Sequence, residues 1–198
     1  MKRREFLKCL GFAILTIGFA PKRVFASKSS PDSIIIRPPG ALTEEDFVKT
    51  CIRCDECIKV CPANCIKQFP ITNSFSGAGT PYIVPRQAGC IRCSECMKVC
   101  PTGALRPIQL EQIKTGTADI YKDQCLVWTN QKECLVCMEF CPVGAISTDS
   151  KGRPVVDPAI CVGCGLCEQN CPVTTSLAAI RVASVGEKRY HLHNRKYY

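Results

Sequence analysis

The chain has 198 residues, of which 46% are hydrophobic, and a formal net charge of +9 from 26 Lys and Arg against 17 Asp and Glu. The positive residues are scattered rather than gathered in a stripe, and no DNA- or RNA-binding module is recognisable, so we predict no nucleic-acid partner. Eighteen cysteines in so short a chain indicate either a disulfide scaffold or metal sites.

The first 26 residues have the pattern of an export signal. Arg3 and Arg4 are followed by Glu-Phe-Leu-Lys, which matches the twin-arginine pattern. The apolar stretch over residues 9–20 is shorter than the about 20 residues that span a bilayer, and a small-residue cleavage site ends at Ala26. We predict that residues 1–26 are a signal peptide read by the twin-arginine translocase, which exports the folded protein to the periplasm. An ordinary secretory signal or an uncleaved anchor is the alternative.

A Ser- and Pro-rich lead-in over residues 27–50 follows the signal. Thr43 and the three acidic residues after it are typical of a helix start, with a hydroxyl at the N-cap and negative charge in the first turn. The sequence predicts an extended segment and then a short helix that brings the chain to Cys51.

Sixteen cysteines fall into four groups of four, the first to fourth quartets, and each quartet ends in Cys-Pro. The first, second and fourth share the spacing C-x2-C-x2-C-x3-C, and the third has a longer first gap. The quartets are Cys51, Cys54, Cys57 and Cys61; Cys90, Cys93, Cys96 and Cys100; Cys125, Cys134, Cys137 and Cys141; and Cys161, Cys164, Cys167 and Cys171. This run holds [4Fe–4S] clusters in bacterial ferredoxins, where the fourth cysteine binds the neighbouring cluster. We predict four [4Fe–4S] clusters with these sixteen cysteines as iron ligands, and no catalytic residue.

Two other uses of the cysteines compete with this prediction. Zinc sites also use thiolates, but usually as separated C-x2-C pairs. An even number of cysteines in an exported chain is typical of disulfides. The tight, regular spacing argues against disulfides, and so does export of a protein that has already folded in the reducing cytoplasm.

Bound clusters would reverse the charge of the protein. Residues 1–26 hold six Lys and Arg and one Glu, so removing them leaves 20 positive against 16 negative residues, or +4. Each oxidised cluster with its thiolates adds about −2, which brings the mature protein with four clusters to about −4.

The predicted elements repeat with the quartets. Strand-like segments over residues 81–84, 118–121 and 154–157 precede the later quartets, another over 179–182 follows the last, and the chain turns after each Cys-Pro. Elements this short leave no room for a large conventional core, so the clusters would serve as the core. The sequence predicts a compact, loop-rich α+β domain over residues 51–184, built from two ferredoxin-like units with duplicated βαβ motifs.

Spacing alone does not decide how the quartets pair. The 19 residues between the third and fourth quartets suit a tandem arrangement in which these two share a unit. A nested arrangement would instead pair the first quartet with the fourth and the second with the third.

The chain resembles the MauM/NapG-type ferredoxins over nearly its whole length. The resemblance rests on the twin-arginine signal, the split third quartet, and the motifs R-P-P-G-A at 37–41, C-I-R-C at 51–54, G-T-P-Y at 79–82 and C-V-G-C-G at 161–165. The plain spacing of the second quartet is nearer to MauM than to the NapG proteins with a longer middle gap. The family is similar to the four-cluster subunits of dimethyl-sulfoxide-reductase-type enzymes, and this similarity implies the nested pairing.

The resemblance implies an electron-transfer protein and not an enzyme. Such a protein relays single electrons from a membrane quinol dehydrogenase, or a membrane ferredoxin-type protein, to a periplasmic oxidoreductase. The residues agree, since every quartet is complete, no Gly-rich nucleotide loop is present, and the two histidines, His191 and His193, lie in the tail. A role in maturation of a periplasmic oxidoreductase, or a structural role for the clusters, is the alternative.

Three further features lie outside the cluster motifs. Cys65 is predicted to be a small buried residue of a turn, with a substitute ligand or a redox-sensing thiol as alternatives. Trp128, inside the split third quartet, is predicted to shield a cluster from water. Residues 185–198 are basic and aromatic, which indicates either a frayed terminus or a segment that docks on an acidic partner or an anionic membrane.

Overall fold

The computed structural model of the chain describes residues 35–72, 77–174 and 177–192. The predicted signal peptide with Arg3 and Arg4 lies outside the described residues, and so does the end of the tail from residue 193. No helix among the described residues is long and apolar enough to cross a membrane.

Five short helices and six short strands make up the regular structure of the described residues. The helices are α1 (Glu44–Thr50), α2 (Glu56–Lys59), α3 (Glu95–Lys98), α4 (Val136–Glu139) and α5 (Leu166–Gln169), with a 3-10 turn at Leu110–Gln112. The strands are β1 (Ile66–Gln68), β2 (Pro81–Ile83), β3 (Thr117–Ile120), β4 (Ile146–Thr148), β5 (Pro154–Val156) and β6 (Ile180–Ala183). Each helix from α2 to α5 contains the third cysteine of a quartet, so one helical turn separates that cysteine from the Cys-Pro that follows.

The strands form three separate antiparallel pairs. β1 pairs with β2, β4 with β5, and β3 with β6, with Ile66 opposite Ile83 and Ile146 opposite Val156. Strands β2, β3, β5 and β6 confirm the four predicted strand-like segments. β1 and β4 follow a Cys-Pro, where the sequence predicts only a turn; each has three residues and buries one isoleucine, too little to give an alternating pattern. The structure is a small mixed α+β fold, and the duplicated βαβ motifs are not confirmed.

Two buried clusters of side chains divide the described chain into two halves. The first half comprises residues 35–113 and 187–192, with Phe47, Leu105 and four cysteines of the first two quartets in its core, whereas Cys54 and Cys93 are exposed. The second half comprises residues 117–185, with Ile180 and the last two quartets in its core. Helix α2 packs on α3 in the first half, and α4 packs on α5 in the second.

The lead-in belongs to the core of the first half from residue 35 onward. Ile36 and Phe47 are buried, and the Arg37 side chain is fully buried among them. The Arg37 guanidinium donates 2.8 Å hydrogen bonds to Thr80 Oγ1 and Pro81 O, pairs with Glu44, and stacks over the Phe47 ring at 4.7 Å. The R-P-P-G-A motif therefore forms packed structure before the first cysteine.

Helix α1 begins where the sequence predicts it, but the residue before it, Thr43, does not cap the helix in the way that the sequence pattern predicts. Thr43 occupies the N-cap position and makes no side-chain cap hydrogen bond. Its hydroxyl instead donates to the Asp46 carboxylate at 2.9 Å. The acidic first turn supplies the favourable charge at this end of the helix.

The tail is packed as far as residue 192. The Thr43 N–H donates to Tyr190 O at 2.8 Å, the Tyr190 N–H donates to Ala41 O at 3.2 Å, and Arg106 Nη2 donates to Leu192 O at 2.9 Å. The frayed-terminus interpretation is therefore wrong for residues 187–192, because backbone hydrogen bonds hold them against the lead-in. All described residues belong to one compact unit, and the predicted boundaries at residues 51 and 184 stay predictions.

Candidate iron–sulfur cluster sites

The cysteines come together in four groups, sites I to IV, and each group takes three residues from one quartet and one from another. Site I contains Cys51, Cys54, Cys57 and Cys100. Site II contains Cys61, Cys90, Cys93 and Cys96. Site III contains Cys125, Cys134, Cys137 and Cys171. Site IV contains Cys141, Cys161, Cys164 and Cys167.

The quartets thus pair in tandem, and the nested pairing is wrong. Cys100 of the second quartet lies with the first, and Cys61 of the first lies with the second. Cys141 and Cys171 cross in the same way between the third and fourth quartets. The physical cause is local: the helices that carry the third cysteines pack in sequence-adjacent pairs, so each Cys-Pro projects toward the neighbouring quartet.

The backbone of three quartets is shaped to surround an anionic group. In each of them the residues immediately before and after the second cysteine have left-handed φ angles. These residues are Arg53 (59°) and Asp55 (63°), Arg92 (58°) and Ser94 (67°), and Gly163 (72°) and Gly165 (83°). Left-handed residues that alternate with right-handed ones turn successive N–H groups toward one concavity, an arrangement typical of phosphate and iron–sulfur sites.

Four of these six left-handed residues are not glycine, which is a strained choice that persists where function requires it. Sequence reasoning missed the positions, because Arg and Ser carry no signal for a left-handed backbone and a single Asp carries only a weak one. The fourth quartet does carry the signal: Gly163 and Gly165 occupy the positions that Arg53 and Asp55 hold in the first. Comparison across the repeats would have identified the feature.

Backbone N–H groups also donate directly to cysteine sulfurs. The donors are Ala145 to Cys141 at 3.2 Å, and Leu105 to Cys100 at 3.4 Å. Two more are Arg92 to Cys90 and Ala118 to Cys161, both at 3.4 Å. Such bonds favour the thiolate form of the sulfur, which is the form that binds iron.

Burial acts in the opposite direction on the same thiols. It raises the pKa of Cys57 to about 12 and that of Cys137 to about 11, and it raises the pKa of Cys96 and Cys167 as well. Nearby cysteines add to the effect in each case. Without iron these thiols are protonated at neutral pH, so loading of the sites releases protons and depends on pH.

The space between the sulfurs fits a multinuclear group. A small cavity lies at each of sites I, II and III, and each is lined by the four cysteines of its site. No three His, Cys, Asp or Glu side chains of the described chain lie close enough to hold a single metal ion. All seventeen described cysteines are free thiols. Four thiols around one cavity and backbone N–H groups that donate to the sulfurs are features typical of a [4Fe–4S] site.

Cys65 lies in the wall of site II. It is buried as predicted, and its sulfur is 3.5 Å from the Cys61 sulfur. A hydrogen bond with the Cys90 sulfur raises the pKa of Cys65 and lowers that of Cys90. Cys65 stands four residues after Cys61, the position that Ala145 holds after Cys141.

Trp128 lies in the long gap of the third quartet, between Cys125 and Cys134. Its indole N–H donates to Pro154 O at 3.1 Å, and its ring is covered by Lys122 at 4.5 Å and Arg153 at 3.9 Å. The ring therefore fixes the gap to strand β5. Ile52 and Ile91, which follow the first cysteines of the first two quartets, are 63% and 52% exposed and do not cover these sites.

Comparison with known proteins agrees with this geometry. A family profile described as "4Fe-4S dicluster domain" matches residues 50–128 and 132–175. The "Methylamine utilization ferredoxin-type protein MauM" of Methylobacillus flagellatus is 32% identical over 192 residues, covering 90% of this chain and 80% of the relative. The protein of that name from Paracoccus denitrificans is 35% identical over 187 residues, 88% of this chain and 80% of the relative. The "Ferredoxin-type protein NapG" of Escherichia coli is 34% identical over 89 residues, 42% of this chain and 37% of the relative.

Proposed function

The chain belongs to the MauM/NapG family of ferredoxin-type iron–sulfur proteins, whose members are not enzymes, and from that premise we propose that it relays single electrons through four [4Fe–4S] clusters. The observation that carries this proposal is the set of four complete groups of cysteines, sites I to IV. A [4Fe–4S] cluster, when bound, accepts and returns one electron. Four thiolates leave no iron position open to a substrate, so these sites suit electron transfer rather than catalysis.

The chain supplies everything that such a relay needs besides the clusters. The sixteen cysteines would bind them, and the backbone N–H groups that donate to cysteine sulfurs would stabilise the negative sulfurs and help to set the reduction potentials. The tandem pairs keep sites I and II in one packed half and sites III and IV in the other. No residue has to move a proton or form a bond to substrate.

We further propose that the protein works in the periplasm after export by the twin-arginine translocase. Its electron donor would be a membrane quinol dehydrogenase or a membrane ferredoxin-type protein, and its acceptor a periplasmic oxidoreductase. The support is the twin-arginine pattern at Arg3 and Arg4 together with the family membership.

Metal analysis and reduction test the central proposal. The mature protein, purified without oxygen, is expected to contain about sixteen iron and sixteen acid-labile sulfides per chain. Membranes supplied with a quinol analogue should reduce it reversibly, with cubane-type EPR signals. Stoichiometric zinc without labile sulfide would refute the clusters, and clusters that no membrane donor reduces would leave a structural role in place of the relay.

Substitution of the signal tests the export route. Replacing Arg3 and Arg4 with Lys should leave the precursor in the cytoplasm, because the paired arginines form the address that the translocase reads. Arg23→Lys, inside the same signal but outside the pair, is the matched control and should be exported normally. Export of the double variant at the normal rate would refute this route.

A further inference from the structure

The loops of the second and fourth quartets touch each other where the two halves meet. The Cys90 N–H donates to Cys164 O at 2.7 Å. One residue earlier, the Gly89 N–H donates to Gln169 Oε1 at 2.8 Å. Cys90 is a ligand residue of site II and Cys164 of site IV, and both side chains are 9% exposed. A single hydrogen bond therefore joins the ligand-bearing peptides of sites that lie in different halves.

Two glycines make this approach possible. A Cβ on Gly89 would lie 2.7 Å from Leu166 N, and one on Gly165 would lie 2.6 Å from Pro85 Cβ. Contacts under 3.0 Å to backbone or to a rigid ring cannot be relieved without moving one of the loops. The two loops are thus packed as closely as their backbones allow.

Arg86 clamps this contact from the side of the first half. Its Nη1 donates to Glu168 O at 2.8 Å and to Cys171 O at 2.9 Å, and its Nη2 donates to Val173 O at 2.9 Å. The first carbonyl lies in the last turn of α5 and the other two lie in the segment just after the helix. The planar guanidinium is suited to binding several acceptors at fixed positions. One side chain therefore holds the second quartet's loop on the fourth quartet's helix.

We infer that this joint, between Gly89–Cys90 and Cys164–Leu166, is the passage by which single electrons cross from one half of the protein to the other, and that Arg86 is the positioning residue for it. The inference rests on the proposed relay function. With the tandem pairs it orders the sites as I, II, IV and III. Crossing moves one electron between two sites, with no bond broken and no proton transferred, so the geometry of the joint is the feature that the protein must control.

The decisive experiment compares crossing in the four-cluster protein with and without the clamp. Arg86→Ala removes three hydrogen bonds but no ligand, so iron content and the individual potentials should stay unchanged. Transfer between the halves after flash reduction should slow by about tenfold, the scale on which supporting residues affect metal sites. The magnetic interaction between reduced sites II and IV in the EPR spectrum should weaken as well. Arg86→Lys should restore transfer in part, since an ammonium cannot hold all three carbonyls in the same geometry.

Arg181→Ala is the matched control, because Arg181 also donates to a backbone carbonyl, Ala178 O at 2.7 Å, but within the second half. It should leave crossing unchanged. If Arg86→Ala loses iron, Gln169→Ala, which removes one hydrogen bond of the joint, replaces it under the same criterion. Normal crossing and normal magnetic interaction in a fully loaded joint variant would overturn the inference while leaving the relay itself intact. A wild-type protein that no donor reduces would instead refute the proposed function.

Discussion

The third and fourth quartets share the second half, yet their cysteines are buried to different degrees. All four cysteines of the fourth quartet are buried, and the two glycines beside Cys164 place the loop tightly on its neighbours. All four cysteines of the third quartet are half-buried, and no pair of left-handed residues flanks Cys134. The fourth quartet contacts the first half through the hydrogen bond from the Cys90 N–H to Cys164 O.

The difference shows that spacing and environment are separate properties of a cysteine site. Both quartets supply three cysteines to one site and one to the other, so they contribute to the two sites in the same way. Close packing on residues such as Pro85 and Gly116 accompanies the burial of the fourth quartet, whereas the third quartet stays half-buried. Because exposure is one of the factors that set cluster potentials, the two sites should not have equal potentials.

Loss of a ligand should separate the two quartets most clearly. Cys167→Ser removes a thiol that is 7% exposed in the core of the second half, and Cys134→Ser removes one near the surface. We expect the buried change to release iron from both sites III and IV, about eight of sixteen atoms, and the outer change to release about four. Iron analysis of the anaerobically purified variants measures these losses. Equal losses of iron from the two variants would contradict the expected difference between the quartets.

The glycines of the fourth quartet give the next largest effect. Gly163 has φ +72°, and a Cβ there would lie 2.5 Å from Gly116 N. Gly163→Ala combines left-handed strain with a backbone clash and should destabilise the protein by more than about 3 kcal/mol. Gly152 has the same φ of +72° with nothing within 4 Å, so Gly152→Ala should cost only about 1–2 kcal/mol. Urea unfolding of both variants with clusters bound tests the comparison, which fails if the two costs match.

Loosening the inserted loop of the third quartet, between Cys125 and Cys134, should affect site III alone. Trp128→Ala removes one hydrogen bond and two cation–π contacts, each worth about 0.5–1.5 kcal/mol. We expect site III to lose its iron faster in air while the other three sites keep theirs. Trp128→Phe, which keeps an aromatic ring, should fall between this variant and the wild type. Uniform loss from all sites would show that the insertion does not protect site III in particular.

The smallest effect concerns pH at the hairpin beside the insertion. Hydrogen bonds from the Arg153 side chain and backbone, and from the Lys151 N–H, lower the pKa of Asp149 to about 2. A lowered pKa means that the carboxylate stabilises the fold fully above pH 4 and that this contribution disappears as the pH falls toward 2. Asp149→Asn should therefore unfold faster than the wild type above pH 4, and the difference should shrink below it. Stopped-flow unfolding after pH jumps measures the two rates; a difference that grows on acidification would contradict the sign.

Four of the six strands could be predicted, and the cysteine quartets could be recognised, because their signals are local; the role of the cysteines as iron ligands stays a prediction. Cys-Pro spacing and short β-branched runs such as Val155-Val156 are visible in a few consecutive residues. The pairing of the quartets depends on which helices pack together, and no single quartet carries that information. The resemblance to proteins in which the quartets pair in a nested arrangement predicted the wrong pairing for this chain.

The ends of the described chain were harder to predict for the same reason. Arg37 lies in a stretch that reads as an extended linker, yet its partner Thr80 is 43 residues away. Tyr190 lies in a stretch that reads as a loose tail, yet it binds Ala41 and Thr43. Long-range contacts determine the structure of both segments, and the composition of the segments does not predict it.

The hydrogen bonds between the lead-in and the tail restrict the order in which the protein can fold. Residues 35–43 leave the ribosome well before residues 190–192, yet Thr43 and Tyr190 share a 2.8 Å hydrogen bond. The first half therefore cannot finish folding until Tyr190 has been synthesised, although both of its quartets are made before the third begins. Until then the lead-in lacks its partner, so the half that is translated first reaches its final packing only after all four quartets have been made.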